Sequence, residues 1–195
     1  METTLILASA SPRRRELLAQ AGYRFTVEAS SIDETRRPGE EAIRFATRLA
    51  REKAEEIFAR HSSDDVLVLG ADTVVVCDGE IMGKPADAAD AERMLTQLAG
   101  RTHHVVTGVA VVWGTGVESA AEVTQVTMHT LSPEEIAAYV AGGEPMDKAG
   151  SYAIQGFAGR WIPRIHGCYF NVVGLPLALV ANLIDGAETR RKSKL

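Results

Sequence analysis

The chain is expected to fold as an α/β domain around a mixed β-sheet, and three features of its sequence predict this. Segments of strand length alternate with segments of helical period along most of its 195 residues. Val66-Leu67-Val68-Leu69-Gly70-Ala71 is apolar without interruption, the pattern of a central strand covered on both faces. Two long strand patterns between Thr102 and Thr130 break near Gly114-Thr115-Gly116, which reads as a hairpin and makes the sheet mixed rather than purely parallel.

Each element has its own local signal. Thr4 to Ala8 reads as a short buried strand, and Glu16 to Ala21 as helix ending at Gly22. Ser11 suits the N-cap of that helix and Pro12 its first position, so Arg13, Arg14 and Arg15 fall in the first turn. Arg24 to Ala29 alternates and predicts a second strand. Ser30 to Gly39 is a polar loop with Asp33, Glu34 and the breaker Arg36-Arg37-Pro38. Glu40 to Arg60 is helical, with Ile43, Ala46, Leu49, Ala50, Ala54 and Ile57 on one stripe and Lys53 read as facing away from it. The apolar strand is followed at once by Asp72-Thr73, then Val74-Val75-Val76 and a turn at Asp78-Gly79. Asp87 caps a helix that Gly100 closes. Ser132-Pro133-Glu134-Glu135 opens another with a capping box, and Gly142-Gly143-Glu144-Pro145 ends it. Met146 to Gly159 is mostly loop, or a short helix followed by loop, Arg160 to Gly167 a strand, and Leu175 to Ile184 a last helix.

Composition narrows the function classes. A length of 195 residues suits one domain, or one domain of two lobes, with a substantial core. A formal charge of −5 argues against a general nucleic-acid binder. No apolar run is long enough to span a bilayer, and no signal-peptide pattern opens the chain, so no membrane partner is expected. Cys77 and Cys168 make neither a disulfide framework nor a zinc spacing, which points to a reducing, cytoplasmic setting. Ser193-Lys194-Leu195 would be a peroxisomal address in a eukaryotic protein and a frayed basic tail otherwise.

Three clusters carry chemistry. At Ser9-Ala10-Ser11-Pro12-Arg13-Arg14-Arg15, cations oppose the helix dipole, which makes sense if an anion docks there on exposed N–H groups, hydroxyls and guanidinium forks. The plainer reading is a solvated basic turn. At Gly70-Ala71-Asp72-Thr73, an aspartate stands at the carboxyl end of a buried strand, where open α/β sheets keep their ligand crevice; the plainer reading is a turn or cap. Lys84, in Gly83-Lys84-Pro85, lies just past the next turn, within reach of that crevice. The third cluster sets polar residues among small ones, Asp147-Lys148-Ala149-Gly150-Ser151-Tyr152 and Ile154-Gln155-Gly156. Lys53, off its helix's apolar stripe, reads by default as solvated.

These motifs, with Asn171-Val172-Val173-Gly174-Leu175-Pro176, occur in the order of the Maf family, and the chain resembles that family from about Leu5 to Ile184. The resemblance implies an elongated α/β molecule around a long mixed sheet, related to inosine triphosphate pyrophosphatases, with a central cleft between two lobes. It places the domain at residues 1–187 and a basic tail at 188–195. It implies hydrolysis of nucleoside triphosphates to the monophosphate and pyrophosphate, a house-cleaning role, and a link to cell-division arrest. A homodimer is usual for such proteins.

The resemblance also assigns roles. Asp72 is the general base that orients and deprotonates water. Lys53 and Lys84, with Arg13 and Arg14, supply the cations that a triphosphate requires. Mg²⁺ or Mn²⁺ bridges phosphate oxygens, served by Asp72 and Glu34; the plainer reading of Glu34 is a surface carboxylate. Ser9, Ser11, Asp147 and Lys148 complete the substrate contacts. Arg13, Thr73 and Gln155 resemble the selectivity positions of members that prefer dTTP and UTP, and a glutamine amide suits the O4/N3–H edge of thymine or uracil. Two alternatives stand beside this: a nucleotide-binding regulator without turnover, and an inosine triphosphate-type pyrophosphatase.

Overall fold

The computed structural model describes residues 4–61, 65–114 and 116–193. The chain divides into two compact units: Met1–Asp72, Thr107–Glu122 and Gly174–Leu195 form the first, Thr73–Val106 and Val123–Val173 the second. Among the described residues seven strands pair into a mixed sheet.

In the first unit, β1 (Thr4–Ala8) is buried from Leu5 onward and pairs in parallel with β2 (Phe25–Val27) on one side and β3 (Val66–Cys77) on the other. The parallel register ends with Ala8 opposite Gly70. β2 is shorter than its alternating sequence predicts, and two of its three residues are exposed. α1 (Pro12–Gln20) starts as expected, with the Ser11 hydroxyl accepting from the Arg14 N–H, and Gly22 turns the chain out at φ 84°.

α2 (Ala42–Phe58) lies against the sheet through Phe45, Ala46, Leu49, Ala50, Lys53, Ala54 and Ile57. Two expectations change here. Ile43, in the first turn, is exposed while Phe45 is buried. Lys53 does not face away from the stripe: it follows Ala46 by two helical turns, so it shares the buried face and is only 8% exposed. The helix comes unusually close to the strands. A methyl group on Gly70 would stand 2.0 Å from the Ala50 carbonyl oxygen, and one on Gly108 2.3 Å from that of Ala46. Glycines in the strands and alanines on the helix allow this backbone-to-backbone approach.

β3 does not stop at Ala71, as the apolar run suggested. It continues through Asp72 to Cys77, and its β-branched end pairs antiparallel with β4 (Glu80–Met82) across a turn at Asp78 and Gly79, both at positive φ. Asp72 is therefore inside a strand. It still lies two residues past the point where β1 leaves the sheet, so the parallel segment does end just below it.

In the second unit, α3 (Ala88–Leu98) is capped by Asp87, whose carboxylate accepts from the Asp90 N–H. β5 (Thr102–Trp113) and β6 (Gly116–Thr127) are the two long strands expected, and sheet order runs β2-β1-β3-β5-β6-β7, with β4 on β3. α4 (Pro133–Ala141) has the capping box read from Ser132 and Glu135. The following loop contains three 3-10 turns, Glu144–Asp147, Ala149–Ser151 and Phe157–Trp161. The strand expected from Arg160 is accordingly shorter: β7 (Arg164–His166), paired with Gln125–Thr127. α5 (Tyr169–Val173) follows. The core of this unit gathers Met82, Leu95, Leu98, Met128, Tyr139 and Trp161.

The chain then returns to the first unit as α6 (Leu177–Lys192), which runs well beyond Ile184. Arg190, Arg191 and Lys192 occupy its last turn, where cations complement the helix dipole. Lys194 and Leu195, and with them the Ser-Lys-Leu end, lie outside the described residues. No helix among the described residues is long and apolar enough to cross a membrane.

Candidate active site

The close approach of α2 to β3 builds the centre of the site. Gly70 and Asp72 are two apart on a strand and point to the same face. With the helix backbone drawn against Gly70, Lys53 Nζ donates to Asp72 Oδ1 at 2.7 Å. The same ammonium meets Glu34 Oε1 at 2.8 Å. Asp72 and Lys53 are both buried, whereas the side chain of Glu34 is more than half exposed, so the cluster opens toward solvent on the Glu34 side.

The start of α1 supplies the arginines. Arg14 Nε donates to the Gly174 carbonyl at 2.9 Å, and its Nη1 donates to the Ala71 carbonyl at 2.9 Å and to Ser9 Oγ at 3.4 Å. Ala71 immediately precedes Asp72, so this guanidinium is pinned beside the carboxylate. Arg13 is half-buried and Arg15 exposed. Ser9 Oγ also accepts from the Ser11 N–H at 3.2 Å. The two serine hydroxyls thus shape the strand-to-helix turn. Ser9, Ser11, Arg13, Arg14, Glu34, Lys53 and Asp72, collected from four separate stretches of sequence, all belong to the first unit.

Burial pushes the Asp72 carboxyl above the ordinary carboxylate range, against the pull of Lys53 and Arg14; the nearby Glu34 adds to the rise. Burial likewise lowers the Arg14 guanidinium, while Asp72 opposes that shift. A carboxylate made more basic by its surroundings, yet held by a lysine, is suited to accept a proton from water.

The second unit carries the remaining candidates. Thr73 is half-buried on β3, directly after Asp72, and Lys84 is exposed between β4 and α3. The Gly150 N–H donates to the Gly83 carbonyl at 3.0 Å, which brings the Gly83-Lys84-Pro85 and Asp147–Gly150 motifs together. Gly150 has φ 68°, and a methyl there would press on Val75 at 2.7 Å, so only glycine fits the corner. Lys148 Nζ donates to the Glu144 carbonyl at 2.6 Å and to Asp147 Oδ1 at 2.5 Å. Gln155 is exposed on the turn that follows. Glu144 fastens that turn, accepting from Tyr139 Oη at 2.8 Å and from the Phe157 N–H at 3.3 Å.

Among the described residues no group of three or more His, Cys, Asp and Glu side chains converges as a cation site. The available donors are the two carboxylates that share Lys53, Asp72 and Glu34. One or two carboxylates fit a Mg²⁺-type ion whose other ligands are substrate phosphates and water, and do not fit an ion held by protein alone.

Sequence reading named Gly70 in a motif but missed its close packing on α2, and missed Gly108 and the roles of the Ala71 and Gly174 carbonyls. A glycine inside an otherwise apolar strand was the available signal for close backbone approach.

A buried Asp–Lys pair with arginines at a helix start, on a mixed α/β sheet, defines a protein built to handle an anionic ligand. The fold is similar to the solved structure of the Ham1 protein of Staphylococcus aureus, with a TM-score of 0.52 and 13% identity over 95% of this chain and 100% of that one. Residues 4–187 match the model of the family described as Maf-like protein, and the chain belongs to that family. Its relatives include proteins named dTTP/UTP pyrophosphatase. That of Geobacter sulfurreducens is 57% identical over 178 residues, covering 90% of this chain and 92% of the relative. That of Koribacter versatilis is 51% identical over 184 residues, 94% of both chains. That of Shigella sonnei is 47% identical over 192 residues, 98% of this chain and 97% of the other.

Proposed function

We propose that this protein hydrolyses nucleoside triphosphates, dTTP and UTP in preference, to the monophosphate and pyrophosphate. The observation that carries the reading is the buried Lys53–Asp72 pair shared with Glu34, in a chain about half identical to dTTP/UTP pyrophosphatases along nearly its whole length.

Asp72 is the base: with Lys53 drawn to phosphate oxygens, its carboxylate orients a water and takes the proton as the oxygen attacks the α-phosphorus, the α–β anhydride bond breaks and pyrophosphate leaves. Lys53, Arg13 and Arg14 bind the polyphosphate, and Arg14 does so from a guanidinium already fixed on two backbone carbonyls. Ser9 and Ser11 hold the turn that presents the backbone N–H groups of α1 to phosphate. Lys84 and Lys148 carry positive charge suited to phosphate, with Asp147 orienting Lys148. The Gln155 amide, with Thr73 and Arg13, reads the base edge. Asp72 and Glu34, with the substrate, would hold a divalent cation, Mg²⁺ or Mn²⁺, which would supply neutralisation of negative charge on the phosphates. The protein acts in the cytoplasm, as a homodimer, removing unwanted nucleotides.

The test is a nucleotide panel with purified protein, Mg²⁺ or Mn²⁺, and separate assays for pyrophosphate and orthophosphate. Pyrophosphate from dTTP and UTP, abolished by chelator, is the expected result. Orthophosphate as first product overturns the reaction, a preference for inosine triphosphate overturns the substrate, and tight binding without turnover returns the regulator reading.

A further inference from the structure

The segment between β2 and α2 has no helix or strand from Glu28 to Glu41, well beyond the usual connection of about 4–6 residues. Glu34 hangs on it, yet its carboxylate stands within ion-pair distance of Lys53. Something other than regular structure must hold this loop.

Glu56 of α2 bonds Ser30 and Ser31 at the start of the loop, and Arg48, also on α2, holds its Thr35–Glu40 part. Arg48 Nε and Nη2 donate to the two carboxylate oxygens of Glu40 at 2.6 and 2.8 Å, a bidentate pair. Nη2 also donates to the Thr35 carbonyl at 3.2 Å, and Nη1 to Glu52 Oε2 at 2.9 Å. The Arg48 and Glu40 side chains are nearly enclosed, at 13% and 10% exposure. Around this centre the loop is stitched further. The Arg37 N–H donates to Glu40 Oε2 at 3.1 Å, Arg37 Nη2 to Glu52 Oε1 at 2.9 Å, and Arg36 Nε to the Glu40 carbonyl at 2.8 Å. Thr35 is the residue next to Glu34, so the backbone directly after the carboxylate is tied to the helix that carries Lys53. The Arg48 hydrogen bond holds the Glu40 carboxyl at about 2, so the pair stays charged throughout the neutral range.

Building on the proposed function, we infer that Arg48 is the positioning residue for Glu34. It clamps the Thr35–Glu40 segment to α2 through a planar fork and so fixes the Glu34 carboxylate at Lys53. A lysine at 48 would keep the charge but could not reproduce the planar two-pronged grip on Glu40 together with the bonds to Thr35 and Glu52.

The experiment combines amide hydrogen exchange over residues 30–41 with steady-state kinetics on UTP. The proteins compared are wild type, Arg48→Ala, Arg48→Lys, Glu34→Ala and the Arg48→Ala/Glu34→Ala pair. Arg48→Ala is expected to speed exchange in 30–41 by tenfold or more while α3 keeps its protection. It should lower kcat for UTP about tenfold or more, and Arg48→Lys should recover only part of either change. In the Glu34→Ala background the same substitution should cost less than about twofold, because the group it positions is gone. An equal loss in both backgrounds, unchanged exchange, or wild-type activity of Glu34→Ala each overturns the inference. A wild type that releases pyrophosphate from no triphosphate removes the proposed function instead, and the clamp then stands or falls on exchange alone. Should Arg48→Ala not fold, Arg48→Gln carries the same comparison.

Discussion

Lys53 Nζ lies 2.7 Å from Asp72 Oδ1, with both residues more than nine-tenths buried. An ion pair this enclosed does not stabilise by attraction alone, because both partners have left water. Its exposed neighbour Glu34 shares the lysine. The arrangement is better explained by reactivity than by stability.

Asp72→Asn keeps size and most hydrogen bonding but removes basicity. Turnover of UTP is expected to fall roughly 10²–10⁴-fold, with KM little changed. Near-normal kcat would leave Asp72 as a structural partner of Lys53 only.

Lys53→Met strands a buried carboxylate. Chemical denaturation should show a loss of roughly 3–5 kcal/mol. Adding Asp72→Asn should return a good part of it, since the uncompensated charge is then gone. A double variant no more stable than Lys53→Met would show that the loss comes from packing of the lysine stem.

Gly70→Ala sets a methyl group against the Ala50 carbonyl, which is backbone and cannot swing aside. A cost of at least about 1–3 kcal/mol is expected, together with a fall in kcat as α2 and Lys53 shift. Gly83→Ala meets nothing within 4 Å and should unfold at the wild-type temperature. Equal melting of all three proteins would mean that α2 yields more easily than its contacts imply.

Phosphate grip and base choice should separate. Lys84→Ala and Arg14→Ala are expected to weaken UTP and ATP alike, because both share the polyphosphate. Arg14→Ala should also lower stability, since its guanidinium satisfies the Gly174 and Ala71 carbonyls. Gln155→Ala should narrow the UTP-to-ATP ratio of kcat/KM by about 1–3 kcal/mol. A ratio that changes in Lys84→Ala and not in Gln155→Ala would reverse the two roles.

His103 offers a pH test of the second unit. It is fully buried, its Nε2 bonds Tyr152 Oη at 2.8 Å, and its Nδ1 has no partner among the described residues. Burial, with a smaller push from His104, lowers its pKa from 6.5 to about 4. The unfolded chain therefore takes up the proton first, and stability present above pH 6.5 should be lost as pH falls toward 4, by up to about 3 kcal/mol. His103→Gln should flatten that slope in denaturation curves taken across the window. An unchanged slope would assign the pH dependence to other groups.

Much of this was legible in sequence because it depends on neighbours a few residues apart. Ser11-Pro12 marked the start of α1, Ser132 with Glu135 made a capping box, and Asp87 and Gly100 bracketed α3. Capping is a contact between a side chain and the next turn of its own backbone, so local order suffices. The errors arose where distant segments decide. Asp72 looked like a strand end because the apolar run stops at Ala71, but β4 returns to pair with Val75–Cys77 and extends the strand. Lys53 looked solvated because the sequence reading sets it facing away from the apolar stripe, yet it stands two turns from Ala46 on the buried face.

The sequence by itself determined the order of the longer elements, the caps and the residue types of the site, though not the short β4 and α5, since period, turn chemistry and side-chain inventory are properties of the chain alone. Only the tertiary structure decided that Lys53 would be buried on Asp72, that Arg14 would spend donors on Gly174 and Ala71, and that Arg48 would hold the Glu34 loop. Each of these joins segments far apart in the chain. The burial of Lys53 depends further on how closely α2 approaches the strands, which a missing Cβ at Gly70 and Gly108 permits and no periodicity records.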